Sequence, residues 1–400
     1  MREGWQRVAL GDLFETTNNR LGAHGEEPEV FSVTKHAGFV PAADYFGKRI
    51  ASAKLDTYKV VEPDEWAYST IHIDEGSIAR NRLGRRGVVS PMYTTMRLRG
   101  ARLDPYLAEL FLRSPEMLAT YGDAQQGSVN RRRSLPWKSF AGLMVNLPPL
   151  EEQRRIVDLI DAVEGAIAAM DTHASCAGVL LDRARDLIPN APLVKLSDVL
   201  TSIESGVSTK PEGGTGARVS QLTLAAIRPG VFRAEERKDV GPAVLPDRAR
   251  LNEGDLLITR SNTPERVGYV AVARGVQPGT YIPDLVWRLV PNESLASKTY
   301  LEQVLSSGRF RAAITSLASG TSQSMRKINK TNFSGLQIPL PTLEDQEAYV
   351  APLAGLAQVI RANEHAVGVL RELRSNLLTA LLSGEHEIPE SYDELLEVNA

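Results

Sequence analysis

Apolar and small residues recur in an unbroken four–three alternation after Pro149: Ile156, Ile160, Val163, Ile167, Met170, Ala174, Ala177, Leu181, Ala184 and Ile188. That spacing is a heptad seam and predicts one long amphipathic helix. A second seam runs through Tyr349, Leu353, Leu356, Ile360, Asn363, Val367, Leu370, Arg374, Leu377 and Leu381, interrupted only by Asn363 and Arg374. Glu151, Glu152, Glu344 and Asp345 sit in the expected first turns, where the helix dipole favours negative charge, and Gly384 marks a stop. Pro352 predicts a ragged first turn or a kink. A helix of about 38 residues is about 57 Å long, more than one small domain can cover. The two helices are therefore expected to pack on each other as an antiparallel coiled coil. The contacts would come from Ile156, Ile160, Val163, Ile167 and Leu181 on the first, and Leu353, Leu356, Ile360, Val367, Leu370 and Leu377 on the second.

The two seams lie 193 positions apart, and so do the segments that lead into them. "GSVNRRRSLPWKSFAGL" (127–143) aligns with "GTSQSMRKINKTNFSGL" (320–336), and "NLPPLEEQ" (146–153) with "PLPTLEDQ" (339–346). Further upstream the offset drifts, pairing "VALGDLF" (8–14) with "VKLSDVL" (194–200). Such self-similarity marks a tandem repeat. Between the seams, runs rich in β-branched and aromatic residues predict strands at 66–73, 87–98, 255–261, 267–273 and 281–290. Helical patterns follow near 104–120 and 297–318. The fold class is α/β (mixed α+β): two tandem globular domains, each followed by a long helix. The expected boundaries are 1–149 and 190–342 for the domains, 150–189 and 343–384 for the helices, and 385–400 for a C-terminal tail.

Composition narrows the class. The 400 residues are 42% hydrophobic and 24% charged, a folded profile too long for one ordinary core. No apolar run approaches a membrane span, and the first twenty residues lack a secretory h-region, so a cytoplasmic location and no membrane partner are expected. Cys176 is the sole cysteine, which excludes an internal disulfide or a cysteine-based zinc cluster. The net charge of −3 hides an uneven distribution. Six acids crowd the tail (Glu385, Glu387, Glu390, Asp393, Glu394, Glu397), which is expected to act as a solubilising end rather than a docking segment. Three tracts contain no acid: Arg80–Arg102 with seven arginines, Ala124–Leu150 with Arg131, Arg132, Arg133 and Lys138, and Gln303–Leu343 with Arg309, Arg311, Arg326, Lys327 and Lys330. Basic tracts on a near-neutral chain fit a polyanion partner.

Catalytic signatures are absent. There is no phosphate-binding Gly-x-x-x-x-Gly-Lys-Ser/Thr loop, and no Gly-x-Gly-x-x-Gly after a strand. The six histidines are scattered, and no Asn-Pro-Pro-Tyr/Phe tetrapeptide of an amino-methyltransferase occurs. The chain reads as a non-enzyme holding no metal and no cofactor.

As a set, "LPPLEEQRRIVDLID" with its copy "LPTLEDQ", "GTSQSMRKINKTNFSGLQIPLP", "DLLITRSNTPERVGYVAV" and "YSTIHIDEGSIARN" resembles the specificity subunits of type I restriction–modification systems. The resemblance covers essentially the whole chain. It implies two target-recognition domains, each reading half of a bipartite double-stranded DNA site, with the helix pair as a spacer. It further implies two methyltransferase subunits docked on this chain and a restriction/translocase subunit that can join them. S-adenosylmethionine, ATP and Mg2+ would belong to those partners. A spacer of about 57 Å suits half-sites one to one and a half helical turns apart, at about 34–36 Å per turn.

Arginine, lysine and small polar side chains read base edges or hold phosphates. The candidates in the first half are Arg80, Asn81, Arg82, Arg85 and Arg86; in the second, on what the sequence takes as the matching loop, Arg260, Ser261, Asn262, Thr263 and Arg266. Arg131, Arg132 and Arg133, with Ser322, Gln323, Arg326 and Lys327, are second candidates that could equally contact the methyltransferase. The rival reading from another class is a coiled-coil adaptor that binds proteins without reading DNA. A stand-alone nuclease or methyltransferase fragment is the weakest.

Overall fold

A computed structural model describes residues 2, 4–22, 28–46, 55–125, 133–208, 217–320, 325–389 and 391–393. The chain folds into two compact units: residues 1–168 with 368–400, and residues 169–367.

Each unit is built on a four-stranded antiparallel sheet. In unit 1 the order is Phe14–Thr16, Tyr93–Leu98, Trp66–Ser69, Ile78–Arg80, with Phe14 opposite Leu98, and Trp66 opposite Met96 and Arg80. In unit 2 it is Leu200–Ser205, Val286–Pro291, Leu256–Thr259, Val270–Val272, with Ile258 opposite Trp287 and Val270. A short β-α-β entry leads into each sheet, and its first strand pairs with the strand before the long helix: Val8 faces Val145, and Val194 faces Ile338.

The single helices expected near 104–120 and 297–318 are each broken in two, Pro105–Leu112 with Pro115–Ala124, and Lys298–Ser306 with Gly308–Ser316. The cause is local. Ser114 before Pro115, and Ser307 before Gly308, each turn a hydroxyl onto the N–H of the third residue of the next helix and start it afresh. The strand runs are likewise shorter than expected. The stretch after Ser69 turns into a helical turn at Ile73–Glu75, and 87–98 divides around Pro91 into Gly87–Val89 and Tyr93–Leu98.

The long helices run Leu150–Arg185 and Leu343–Ser383. Every position of both seams is buried or half-buried, while most residues between them are exposed. In unit 1 the start of the first helix meets the end of the second: Ile156 and Ile160 share a core with Leu378 and Leu381, and Leu377 packs on it. Further along, Glu164 accepts a 2.7 Å bond from Arg374 Nε, so the two segments run antiparallel there. The polar break at Arg374 is thus satisfied by a carboxylate on the facing helix. In unit 2, Leu181 joins Tyr349 and Leu353 in one core, with Leu356 and Ile360 at its margin. Val163, Ile167 and Leu370 are half-buried, and Val367 is buried. The second helix runs unbroken from Leu343 through Pro352, which lies on its exposed side, so the ragged first turn does not appear.

The motif repeated at each helix start has a common internal role. Gln153 is 1% exposed and Gln346 0%. Gln153 Oε1 accepts from Asp104 N–H, while its amide donates to the carbonyls of Arg102 and Pro148. Gln346 does the same with Ser297 N–H and the carbonyls of Leu295 and Pro341. Each partner in unit 2 lies 193 positions after its counterpart. The glutamine therefore locks the long helix to the loop ahead of the shorter helix, satisfying buried main-chain groups that no ladder reaches.

The tail departs from expectation. Ile388 is buried in the core of unit 1 with Tyr392 beside it. Asp393 takes both an Nε and an Nη2 bond from Arg155. Arg2 pairs with Glu387 and donates to the carbonyl of His386. Residues 385–393, as far as they are described, are docked rather than free, because an apolar anchor and two ion pairs interrupt the acidic run. Glu390, Glu394 and Glu397 lie outside the described residues.

Candidate nucleic-acid interface

The arginine tract of unit 1 contains no acid in sequence, yet the fold brings acids to it. Arg80 pairs with Asp64 at 2.7 Å and reaches Glu109 at 3.7 Å. Arg82 Nε donates to Glu109 at 2.8 Å, and its guanidinium lies 5.1 Å from the ring centre of Tyr106. Arg85 binds Glu29 through two nitrogens, Arg86 pairs with Glu62, and both Arg97 and Arg99 pair with Glu15. Burial pushes the Glu109 carboxyl up from its ordinary value, against the pull of Arg82, Arg80 and Arg113. Burial in turn lowers the Arg113 guanidinium. Lys35, His36, Arg82, Tyr106, Glu109 and Arg113 line part of a cleft of about 510 Å³ in this unit.

Asn81 corrects the sequence reading. It is 1% exposed, and its amide donates to the carbonyls of Glu62 and Arg85 while its oxygen accepts from Leu83 N–H. It shapes the turn and offers no edge to a base. Ser261 is corrected likewise, being fully buried, and Asn262 is buried with its side-chain oxygen on Thr263 N–H.

The alignment of the two candidate loops also needs correction. Arg260–Arg266 follows the strand equivalent to Trp66–Ser69, so its counterpart is Thr70–Gly76 rather than Arg80–Arg86. One matching bond fixes the register: Leu135 N–H donates to Thr70 O, and Ile328 N–H to Arg260 O.

Unit 2 treats its cations differently. Asn262 faces Arg326, and Ser261 faces Lys327, across a two-stranded ladder. This ladder unites the two stretches that sequence reasoning kept apart. Arg260 Nε donates to Asp284 O at 2.6 Å, Arg311 Nη2 to Glu265 O at 2.7 Å, Arg326 Nη1 to Ala318 O at 3.3 Å, and Lys330 Nζ to Ile203 O. Main-chain carbonyls orient these groups without cancelling their charge. Among the described residues, no carboxylate forms a salt bridge with Arg260, Arg266, Arg311, Arg326, Lys327 or Lys330. Arg266 and Lys327 are exposed, and Thr263 is half-buried. In the second-candidate stretch of unit 1, Arg133 is exposed, while Arg131 and Arg132 lie outside the described residues, as do Ser322 and Gln323 in unit 2.

Sequence reasoning did not single out Arg311, Tyr269 or Glu109 for the site. The acid-free tract flagged the first, but only the fold shows that Arg311 reaches back to the loop at Glu265.

No metal-binding group of three or more His, Cys, Asp or Glu exists among the described residues. No helix there is long and apolar enough to cross a membrane.

Compared with known proteins, the chain matches no family model. It is 21% identical to the type I restriction enzyme MjaVIII specificity subunit of Methanocaldococcus jannaschii, over 96% of this chain and 93% of that protein. A chain from a solved structure of a type I restriction–modification system, described for its complex assembly and conformational transition, aligns over 96% of this chain and 98% of its own. Its identity is 19% and its TM-score 0.59, which establishes a shared fold. The HsdS subunit of Thermoanaerobacter tengcongensis aligns over the same shares at 20% identity, with a TM-score of 0.46. The chain is thus similar along nearly its whole length to type I specificity subunits, as its repeated motifs suggest.

Proposed function

We propose that this chain is the DNA sequence-specificity subunit of a type I restriction–modification complex. Residues 1–149 and 190–342 act as the two target-recognition domains, each reading half of a bipartite duplex site. Residues 150–189 and 343–384 form the spacer helices that set the gap. Two half-site readers on a stiff linker gain effective concentration only when the linker matches the site, which is the physical use of such a helix pair.

The observation that carries this reading is the cation group of unit 2, held by main-chain carbonyls on a scaffold that the chain builds twice. A phosphate-rich partner satisfies such a group, whereas a neutral protein surface leaves it buried and uncompensated. That speaks for DNA readout over the coiled-coil adaptor. Two methyltransferase subunits, with a restriction/translocase subunit that can join, would bring S-adenosylmethionine, ATP and Mg2+. This chain's residues bind and position the duplex, in the cytoplasm. Mapping modified bases genome-wide, with the chain present and deleted, tests the reading. A split adenine-methylated motif of fixed gap should vanish on deletion. An unchanged methylome in a strain making the partner methyltransferase would refute it.

A further inference from the structure

Arg311 stands apart from the other cations of unit 2. Its guanidinium stacks 4.1 Å from the ring centre of Tyr269. Its Nη2 is spent on the carbonyl of Glu265, inside the Thr263–Arg266 loop. Its Nη1 is buried and has no hydrogen-bond partner. Two further polar atoms of this unit share that state: Arg326 Nε and Ser261 Oγ, from strands that face each other across the ladder. Burial lowers the Arg311 guanidinium from its ordinary value, yet arginine remains charged in any protein environment. Orphaned buried donors call for an explanation, and an anionic oxygen supplied by a ligand is the simplest.

The placement also says what this group does not do. A side chain that reads a base must project into a groove. Arg311 is half-buried, pinned on one face by an aromatic ring and at one nitrogen by the loop. A rigid, planar cation with no carboxylate in salt-bridge reach, which also grips the neighbouring loop, suits phosphate positioning. Resting on the DNA-reading function proposed above, we infer that Arg311, seated on Tyr269, is a phosphate clamp of the second half-site. It holds one backbone phosphate and contributes affinity without reading a base.

The test uses the full chain in complex with its methyltransferase, and duplexes carrying the motif from methylome mapping. Arg311→Ala should bind about tenfold more weakly, to the same degree on matched and second-half mismatched duplexes. Its slope of log K against log salt should be shallower by about 1. Neutralising phosphates one at a time with methylphosphonates should reveal one position in the second half-site that weakens the wild type but not Arg311→Ala. Arg311→Lys, which keeps the charge and the apolar stem, should lose only a few-fold, and it decides the matter if the alanine variant does not fold. A change in base preference overturns the clamp, as does wild-type affinity and slope in a variant that melts like the wild type. If the wild-type complex itself shows no salt-dependent duplex binding, the proposed function falls, and the clamp with it.

Discussion

The candidate cations of the two units rest on the same scaffold and are handled in opposite ways. In unit 1 the arginines at 80, 82, 85, 86, 97 and 99 are met by Asp64, Glu109, Glu29, Glu62 and Glu15. In unit 2 Arg260, Arg311, Arg326 and Lys330 are oriented by carbonyl oxygens and keep their charge. Two acid-free tracts that look alike in sequence therefore differ in the field they project. If the partner is a phosphate, as proposed, it would meet unpaired cations in unit 2, whereas in unit 1 it would have to displace a carboxylate. Exposed ion pairs are weak, typically below about 1 kcal/mol, so that displacement is affordable to a polyanion.

The largest effect should test the sameness of the scaffold. Gln153→Leu and Gln346→Leu each strip three bonds from buried main-chain groups. Each should cost its own unit about 2–4 kcal/mol, read by urea unfolding. A wide disparity would mean that the two joints only look alike.

Next comes the charge contrast itself. Arg260→Ala should weaken duplex binding about tenfold and relax recognition of one half-site, through loss of about 1–3 kcal/mol. Arg82→Ala should do less, because its charge is already spent on Glu109. Equal losses would erase the distinction between a neutralised and a free cation.

Smaller still, Glu29→Gln should release Arg85 and strengthen binding to any duplex a few-fold, with a steeper salt slope. If binding did not change, Arg85 would lie away from the DNA path.

The least effect concerns the tail, which docks on unit 1. The Arg155 guanidinium holds the Asp393 carboxyl below its ordinary value. Such a group contributes fully above the usual aspartate range, and its contribution disappears as pH falls through the depressed value. Protease protection of the tail should therefore decline on acidification below about pH 4, and Arg155→Ala should reproduce that decline at neutral pH. A tail equally protected in both would be held by Ile388, Tyr392 and the Arg2 contacts rather than by Arg155.

Much of the scaffold was legible because its signals are local. A four–three seam fixes which face of a helix is buried wherever that helix lies, and every seam position is shielded as the spacing requires. The repeat was legible because identical joints need identical residues, Gln153 and Gln346 above all. The candidate site was far less so. Asn81 and Ser261 carry the right chemistry for base contact but are buried, and Arg82 is turned to Glu109.

The sequence by itself determined the two-fold repetition, the long helices with their buried faces, and the points where each begins. Periodicity, capping and chain self-similarity are properties of neighbours along the chain. Only the tertiary structure decided which cations are free. Neutralisation depends on acids as far as 84 positions away, as between Glu15 and Arg99, and no pattern of nearby residues encodes such a meeting. It likewise brought Arg311 to the loop at Glu265, 46 positions earlier, where a stacked ring and a carbonyl give it a fixed direction and an uncancelled charge.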